Sequence, residues 1–235
     1  MRRRSLNSLH NPPPDPMKEQ PARRRERPSW ESDSEAEAVN PFYFAGRCLL
    51  FLLLAGWGWR FITASIDSNY AGESILHLVN LPFHEAGHVF FSPFGRFMMV
   101  LGGTLGQLLM PLTCAGTFLL KTRDAFAASV ALWWTAENVM DIAPYINDAR
   151  ALELILLGGV TGQEVEGHDW EYLLGSLGWL RYDHALAHLA QWVGITLMIT
   201  ALFWGGTLLL RQYQTLHRRS SSVVSPTDDP HSEKT

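Results

Sequence analysis

Apolar residues in this chain gather into long runs bounded by polar ends, with little strict alternation. Two of the runs, Phe97–Leu120 and Ala185–Leu210, contain no Asp, Glu, Lys or Arg. Each exceeds the ~20 residues that a helix needs to cross the apolar part of a bilayer. Three more apolar stretches, Phe42–Ala64, Ile75–Phe94 and Ala125–Ile146, fit the same length scale. The pattern predicts an all-α, polytopic integral membrane bundle of about five to six membrane segments. Aromatic residues at both ends of the first stretch (Phe42, Tyr43 and Phe44, then Trp57 and Trp59) suit the two membrane–water interfaces.

The remaining chain is polar. Residues 1–40 carry Pro12–Pro14, an arginine cluster at Arg23, Arg24, Arg25 and Arg27, and an acidic run from Glu31 to Glu37. They read as a disordered cytoplasmic tail, residues 41–210 as the membrane domain, and residues 211–235 as a second disordered polar tail. The N-terminal residues lack the apolar stretch of a signal peptide. Eight Lys/Arg precede the first apolar stretch, which places the N-terminus in the cytoplasm and the protein in the cell inner (plasma) membrane. Arg211, Arg218 and Arg219 favour the same side for the C-terminus. That requires either a crossing within 149–182 or a second segment that does not cross.

Composition adds little to this division. The net charge of −4 sums opposed clusters in the tails, and hydrophobic residues make up 47% of 235. Cys48 and Cys114 both fall in apolar segments, so a disulfide framework is not expected, and no CxxC offers a metal site. The basic residues sit in the tails without interleaved aromatics, which leaves no support for nucleic-acid binding.

The chemistry is concentrated in Leu81–Pro93, LPFHEAGHVFFSP. On a helix, His84 and His88 share a face at the i, i+4 spacing, and Glu85 can reach a water beside the ion they would hold. This is the zincin arrangement of two ligands and a general base. A His, Glu, His cluster in an apolar setting is costly without such a role. Pro82 suits the first turn of a helix that Asn80 would cap. A hydrolytic zinc site needs a third protein ligand, and Asp148, beyond the Pro144 break in the fourth segment, is the candidate. Glu137, Asn138 and Asp141 put further polar groups into that segment. His168 and Asp169, in a glycine-flanked loop, are alternative ligands. His184 and His188 repeat the i, i+4 spacing without a glutamate between them and read as interfacial histidines. Gly102, Gly103, Thr104 and Gly106 form a small-residue face that lets helices approach closely. Gln107 in the same span needs a polar neighbour.

FHEAGH in a membrane segment, a glycine-rich start to the next, and an acid beyond a proline in the one after resemble the site-2 protease family of intramembrane zinc metalloproteases. The resemblance covers roughly residues 75–150. It implies a Zn2+ cofactor held by His84, His88 and Asp148, Glu85 as catalytic base, and a membrane-protein or peptide substrate in the lipid bilayer. Asn138 or Asp141 would stand at the family's asparagine, in a supporting or substrate-holding role. Ala149 stands where the family has glycine. Two other readings use the same residues: an ion- or metal-handling membrane protein, and a catalytically inactive membrane scaffold.

Overall fold

The computed structural model describes residues 40–223, with side chains described to residue 218. The expected N-terminal tail and the last part of the C-terminal tail lie outside the described residues. Among the described residues the architecture is helical, with one isolated β-bridge, Ile155 to Thr161. Six α-helices follow in order: α1 Pro41–Thr63, α2 Ile75–Phe91, α3 Arg96–Thr117, α4 Ala125–Asn147, α5 Asp169–Leu177 and α6 Asp183–Val223. A π-helical turn, Phe118–Thr122, prolongs α3. Both cysteines are free.

Local sequence explains the helix ends. Asn40 accepts the Phe42 N–H at 2.9 Å, and Pro41 stands where an N–H would go unused. Ser74 caps α2 by accepting the His77 N–H, and Asp124 caps α4 by accepting that of Ala127. The Ser74 cap moves the start of α2 ahead of the expected position, so Pro82 lies inside the helix. Asn80 is free for other use. Pro144 likewise lies inside α4 rather than breaking it. The last helix continues past Leu210 to Val223, so the start of the expected disordered tail is helical.

α4 forms the centre. Fifteen of its residues are buried, including Glu137, Asn138 and Asp141. α1 and α6 pack on it through Phe61, Trp133, Met140, Met198 and Ala201. Small residues set the closest approaches. A Cβ on Gly87 of α2 would run into the Gly102 carbonyl of α3, and one on Gly106 would run into the Phe83 carbonyl. Gly87, Gly102 and Gly106 thus let α2 and α3 touch backbone to backbone.

Side-chain contacts fix which ends lie together. Arg47, near the start of α1, pairs with Asp124 at 2.9 Å and donates to Gln212 of α6 at 3.3 Å. At the opposite end Ile66, Ile146, Leu174 and Ala187 share one cluster. This end is met by the turns on either side of α2. Its start follows the Ile66–Ser68 turn, and the turn after it leads to Arg96, whose guanidinium sits 4.6 Å from the Tyr172 ring of α5.

Three stretches are long and apolar enough to cross a membrane: Pro41–Thr63, Arg96–Thr122 and Leu180–Arg218. Their outward faces carry exposed Leu49, Leu52, Leu53, Leu112, Leu189 and Phe203, as a lipid-facing surface would. α2 has 17 residues, and α4 loses hydropathy to its three central polar side chains.

Candidate metal centre

The i, i+4 spacing brings His84 and His88 together, with ring centroids 4.8 Å apart. Each ring is fixed from behind. His84 Nδ1 donates to Gln107 Oε1 at 2.7 Å, and His88 Nδ1 donates to the Met99 carbonyl at 2.9 Å. With an oxygen behind each ring, both rings carry a hydrogen on Nδ1 and turn Nε2 forward. Both Nε2 atoms face a single oxygen, Asp169 Oδ2, at 2.9 Å from His84 and 3.3 Å from His88. Each Nε2 meets the Asp169 carboxylate favourably only through a positive centre, either a proton on the ring or a metal ion.

The space fits a metal ion. Gly103 of α3 faces both rings, and a Cβ there would lie 2.5 Å from His84 Nε2 and 2.6 Å from His88 Nε2. For a tetrahedral ion with bonds of ~2.0–2.1 Å the ligand–ligand edge is ~3.3 Å, close to the separations seen. His84, Glu85 and His88 form a group able to hold a metal, their ligand atoms lying within 4.8 Å of one another. Holding the other ring nitrogen by an amide or carbonyl is the usual support for a metal-bound histidine. Burial alone would raise the Asp169 carboxyl. Hydrogen bonds from His84 and His88 outweigh it and hold the group below its ordinary range, as an anion.

The structure brings Asp169 to the two imidazoles and uses Asp148 elsewhere. Asp148 ends α4, and its two oxygens accept the backbone N–H groups of Glu153 and Leu154 at 2.9 and 3.0 Å. The chain after α4 folds back on this carboxylate, which occupies both oxygens. His168 caps α5 by accepting the Glu171 N–H on Nδ1 and places Nε2 3.4 Å from Asp148 Oδ2. Burial outweighs the pull of Asp148 and Asp169 and pushes the His168 imidazole down, toward the neutral form. Tyr145 stacks on His168, and its hydroxyl accepts the Asp169 N–H at 3.0 Å. Asp148, His168 and Tyr145 therefore position Asp169 from behind. The pointer to Asp169 in the sequence is its place after His168 at the mouth of a glycine-flanked loop.

Asn138 and Asp141 do not reach the histidine pair directly. Asp141 accepts from His77 Nδ1 at 2.9 Å, from Asn80 at 3.3 Å and from Gln107 Nε2 at 3.5 Å. Through Gln107 it is one side chain removed from His84. Asn80 is the hub: it donates to Glu137 at 3.0 Å and accepts from Trp134 and Asn138. His184 is exposed and contacts Asn147 at 2.6 Å, and His188 is exposed, so this pair forms no second centre with the first.

A cavity of about 360 Å3 adjoins the centre, lined by His77, His84, Glu85, His88, Asp141, Tyr145 and Asp169. Its outer wall is the loop carrying Leu154–Leu157 and Val165–Gly167. Gly158 and Gly159 turn that loop at φ +102° and +79°, values open to glycine at little cost.

Compared with protein-family models, curated proteins and solved structures, the chain matches none.

Proposed function

We propose that this protein is an integral membrane zinc metallopeptidase of the site-2 protease kind, cleaving peptide bonds of a membrane-associated protein or peptide. The observation that carries this reading is the convergence of His84 Nε2, His88 Nε2 and Asp169 Oδ2 beside Gly103, with both Nδ1–H groups engaged behind. His84, His88 and Asp169 would hold the ion, and Glu85, exposed on the cavity wall, is the base. Zinc, when bound, polarises a carbonyl and makes water a usable nucleophile near neutral pH. Glu85 takes the proton of the attacking water and hands it to the leaving amine. The Leu154–Leu157 loop and Tyr145 border the reacting volume and limit bulk water.

The arrangement in the membrane follows from the paired ends. In this reading α1, α3, α4 and α6 cross the bilayer, while α2, an unbroken helix of 17 residues, does not cross it. The start of α1 and the end of α6 then share one side, which the flanking arginines favour as the cytoplasmic side of the inner membrane. The cavity opens on the other face. A non-crossing second segment removes the conflict between five crossings and the charge of the C-terminal end.

A second reading has one observation in its favour. Glu137, Asn138, Asn80 and Asp141 form a buried polar network, and Glu137 Oε1 has no hydrogen-bond partner. A protein that carries ions would place such a group on their path.

Metal analysis of the purified full chain separates these readings. Wild type and Glu85→Gln should each hold one equivalent of zinc, with peptidase activity lost only in Glu85→Gln. His84→Ala and Asp169→Ala should lose the metal. Wild type without metal would sink the proposal. Ion flux through proteoliposomes that survives Glu85→Gln and disappears in Glu137→Gln would favour the second reading.

A further inference from the structure

The cavity has a second polar end that the hydrolytic chemistry does not use. His77 lies seven residues before His84 on α2, about 10 Å along the helix axis. Its Nδ1 is committed to Asp141, at 2.9 and 3.1 Å from the two carboxylate oxygens. The side chain is 38% exposed and lines the cavity, so the edge it offers there is Nε2. Asn69, in a left-handed turn at φ 47°, and Gly72 line the same cavity. Leu81, Ile142 and the Leu154–Leu157 loop supply apolar wall to this cavity.

The lining contains no Lys or Arg. Outside the histidine pair, His77 is therefore the one lining group able to present positive charge. Asp141 holds its Nδ1–H and favours the imidazolium, whose Nε2–H then needs an acceptor. Of the four lining acids, Asp141 is already engaged, Asp169 faces the two imidazoles, Glu85 is the base and Glu166 is exposed on the Val165–Gly167 loop.

We propose that His77 forms a subsite for a carboxylate of the substrate. This rests on the peptidase reading and adds a specificity to it. An extended peptide advances ~3.3 Å per residue, so ~10 Å places the carboxylate about three residues from the scissile bond. It belongs either to an acidic side chain or to the end of the chain being cut.

The test uses the zinc-loaded full chain in lipid nanodiscs and short internally quenched peptides. One series carries Glu or Gln at the third residue from the scissile bond. The other ends there as a free acid or an amide. The carboxylate member of one series should be cleaved about tenfold better in kcat/KM, the ratio a charge-assisted hydrogen bond supplies. The responding series identifies the source. His77→Gln should lose the preference while keeping zinc and cleavage of the neutral peptides, and His77→Lys should retain it. Equal cleavage of acidic and neutral peptides, or a preference that survives His77→Gln, overturns the subsite and leaves the peptidase reading intact. Cleavage of no peptide overturns the peptidase reading. Equilibrium binding of the same peptides to Glu85→Gln then decides the subsite: tighter binding of the carboxylate member supports it, and equal binding overturns it.

Discussion

Replacing Gly103 by Ala probes the metal centre without removing a ligand. The added carbon would lie 2.5 Å from His84 Nε2 and 2.6 Å from His88 Nε2. Non-bonded carbon and nitrogen approach to about 3.5 Å, so each ring must retreat by about 1 Å. Metal–ligand bonds tolerate ~0.2 Å. Both rings are held from behind by Gln107 and the Met99 carbonyl, so retreat also loosens those hydrogen bonds. Loss of one supporting partner behind a ligand lowers metal affinity ~10–100-fold. Displacing two ligands at once should exceed the upper figure. The fold should survive, because the rings can swing into the cavity and alanine favours helix over glycine by ~1 kcal/mol. Competition with a chelator of known zinc affinity measures the loss, and the visible spectrum of the cobalt-substituted protein reports the ligand set. Gly103→Ala protein that folds and binds zinc as tightly as wild type would refute the placement of the ion between the rings.

Gly87→Ala tests the backbone contact between α2 and α3. Its Cβ meets the Gly102 carbonyl, and the helices must part at a cost of about 1–3 kcal/mol, read as a lower unfolding midpoint in detergent. Gln107→Leu removes the acceptor of His84 Nδ1–H and should weaken zinc binding ~10–100-fold with little change in helix content by circular dichroism; unchanged affinity would show that Gln107 does not position His84. Asp148→Asn should keep one equivalent of zinc, unlike Asp169→Ala, but lose about 2 kcal/mol of stability as its two backbone hydrogen bonds weaken; loss of the metal itself would restore Asp148 to the ligand set. Single cysteines introduced at Asn40 and Thr215, in a background lacking Cys48 and Cys114, should react with a membrane-impermeant reagent from the same side; labelling from opposite sides would refute the four-crossing arrangement.

The helices were legible because an uncharged run of bilayer length has few alternatives. The expected segments Phe42–Ala64 and Phe97–Leu120 differ from α1 and from α3 with its π turn by one to two residues at each end. Pro144 misled because it was read as breaking its helix, and Pro82 left open a kinked span or a short helix after an extended entry. Pro82 is accommodated after the Ser74 cap and Pro144 within a buried helix, where neighbouring elements hold the chain helical. The pair His84 and His88 was legible from spacing alone, since four residues apart on a helix is a geometric statement. Asp169 was named only as an alternative to Asp148, because it arrives from a different element through a loop, and no periodicity links it to the histidine pair. Asp148 was misleading for a physical reason as well. An aspartate followed by a turn readily accepts backbone N–H groups just beyond it, a local use that competes with any distant ligand.

The polar residues of α2, α3 and α4 make one system rather than separate defects in an apolar bundle. Asn80, Gln107, Glu137, Asn138 and Asp141 would each be costly if isolated among apolar neighbours. Asn80 instead sits between Glu137, Asp141, Asn138 and Trp134, and Gln107 joins Asp141 to His84. The orientation of Gln107 follows from this chain. Asp141 can only accept, so it draws the amide nitrogen, which leaves the amide oxygen for His84. That choice fixes the His84 tautomer and turns Nε2 toward Asp169. A buried carboxylate one side chain away thus selects the form of the imidazole that a metal requires. The same carboxylate holds His77 at the far end of the cavity. On this reading the fourth segment carries its acids to set the chemistry of α2 at two points, the proposed metal centre and the carboxylate subsite, while the proposed metal's own acidic ligand comes from the start of α5.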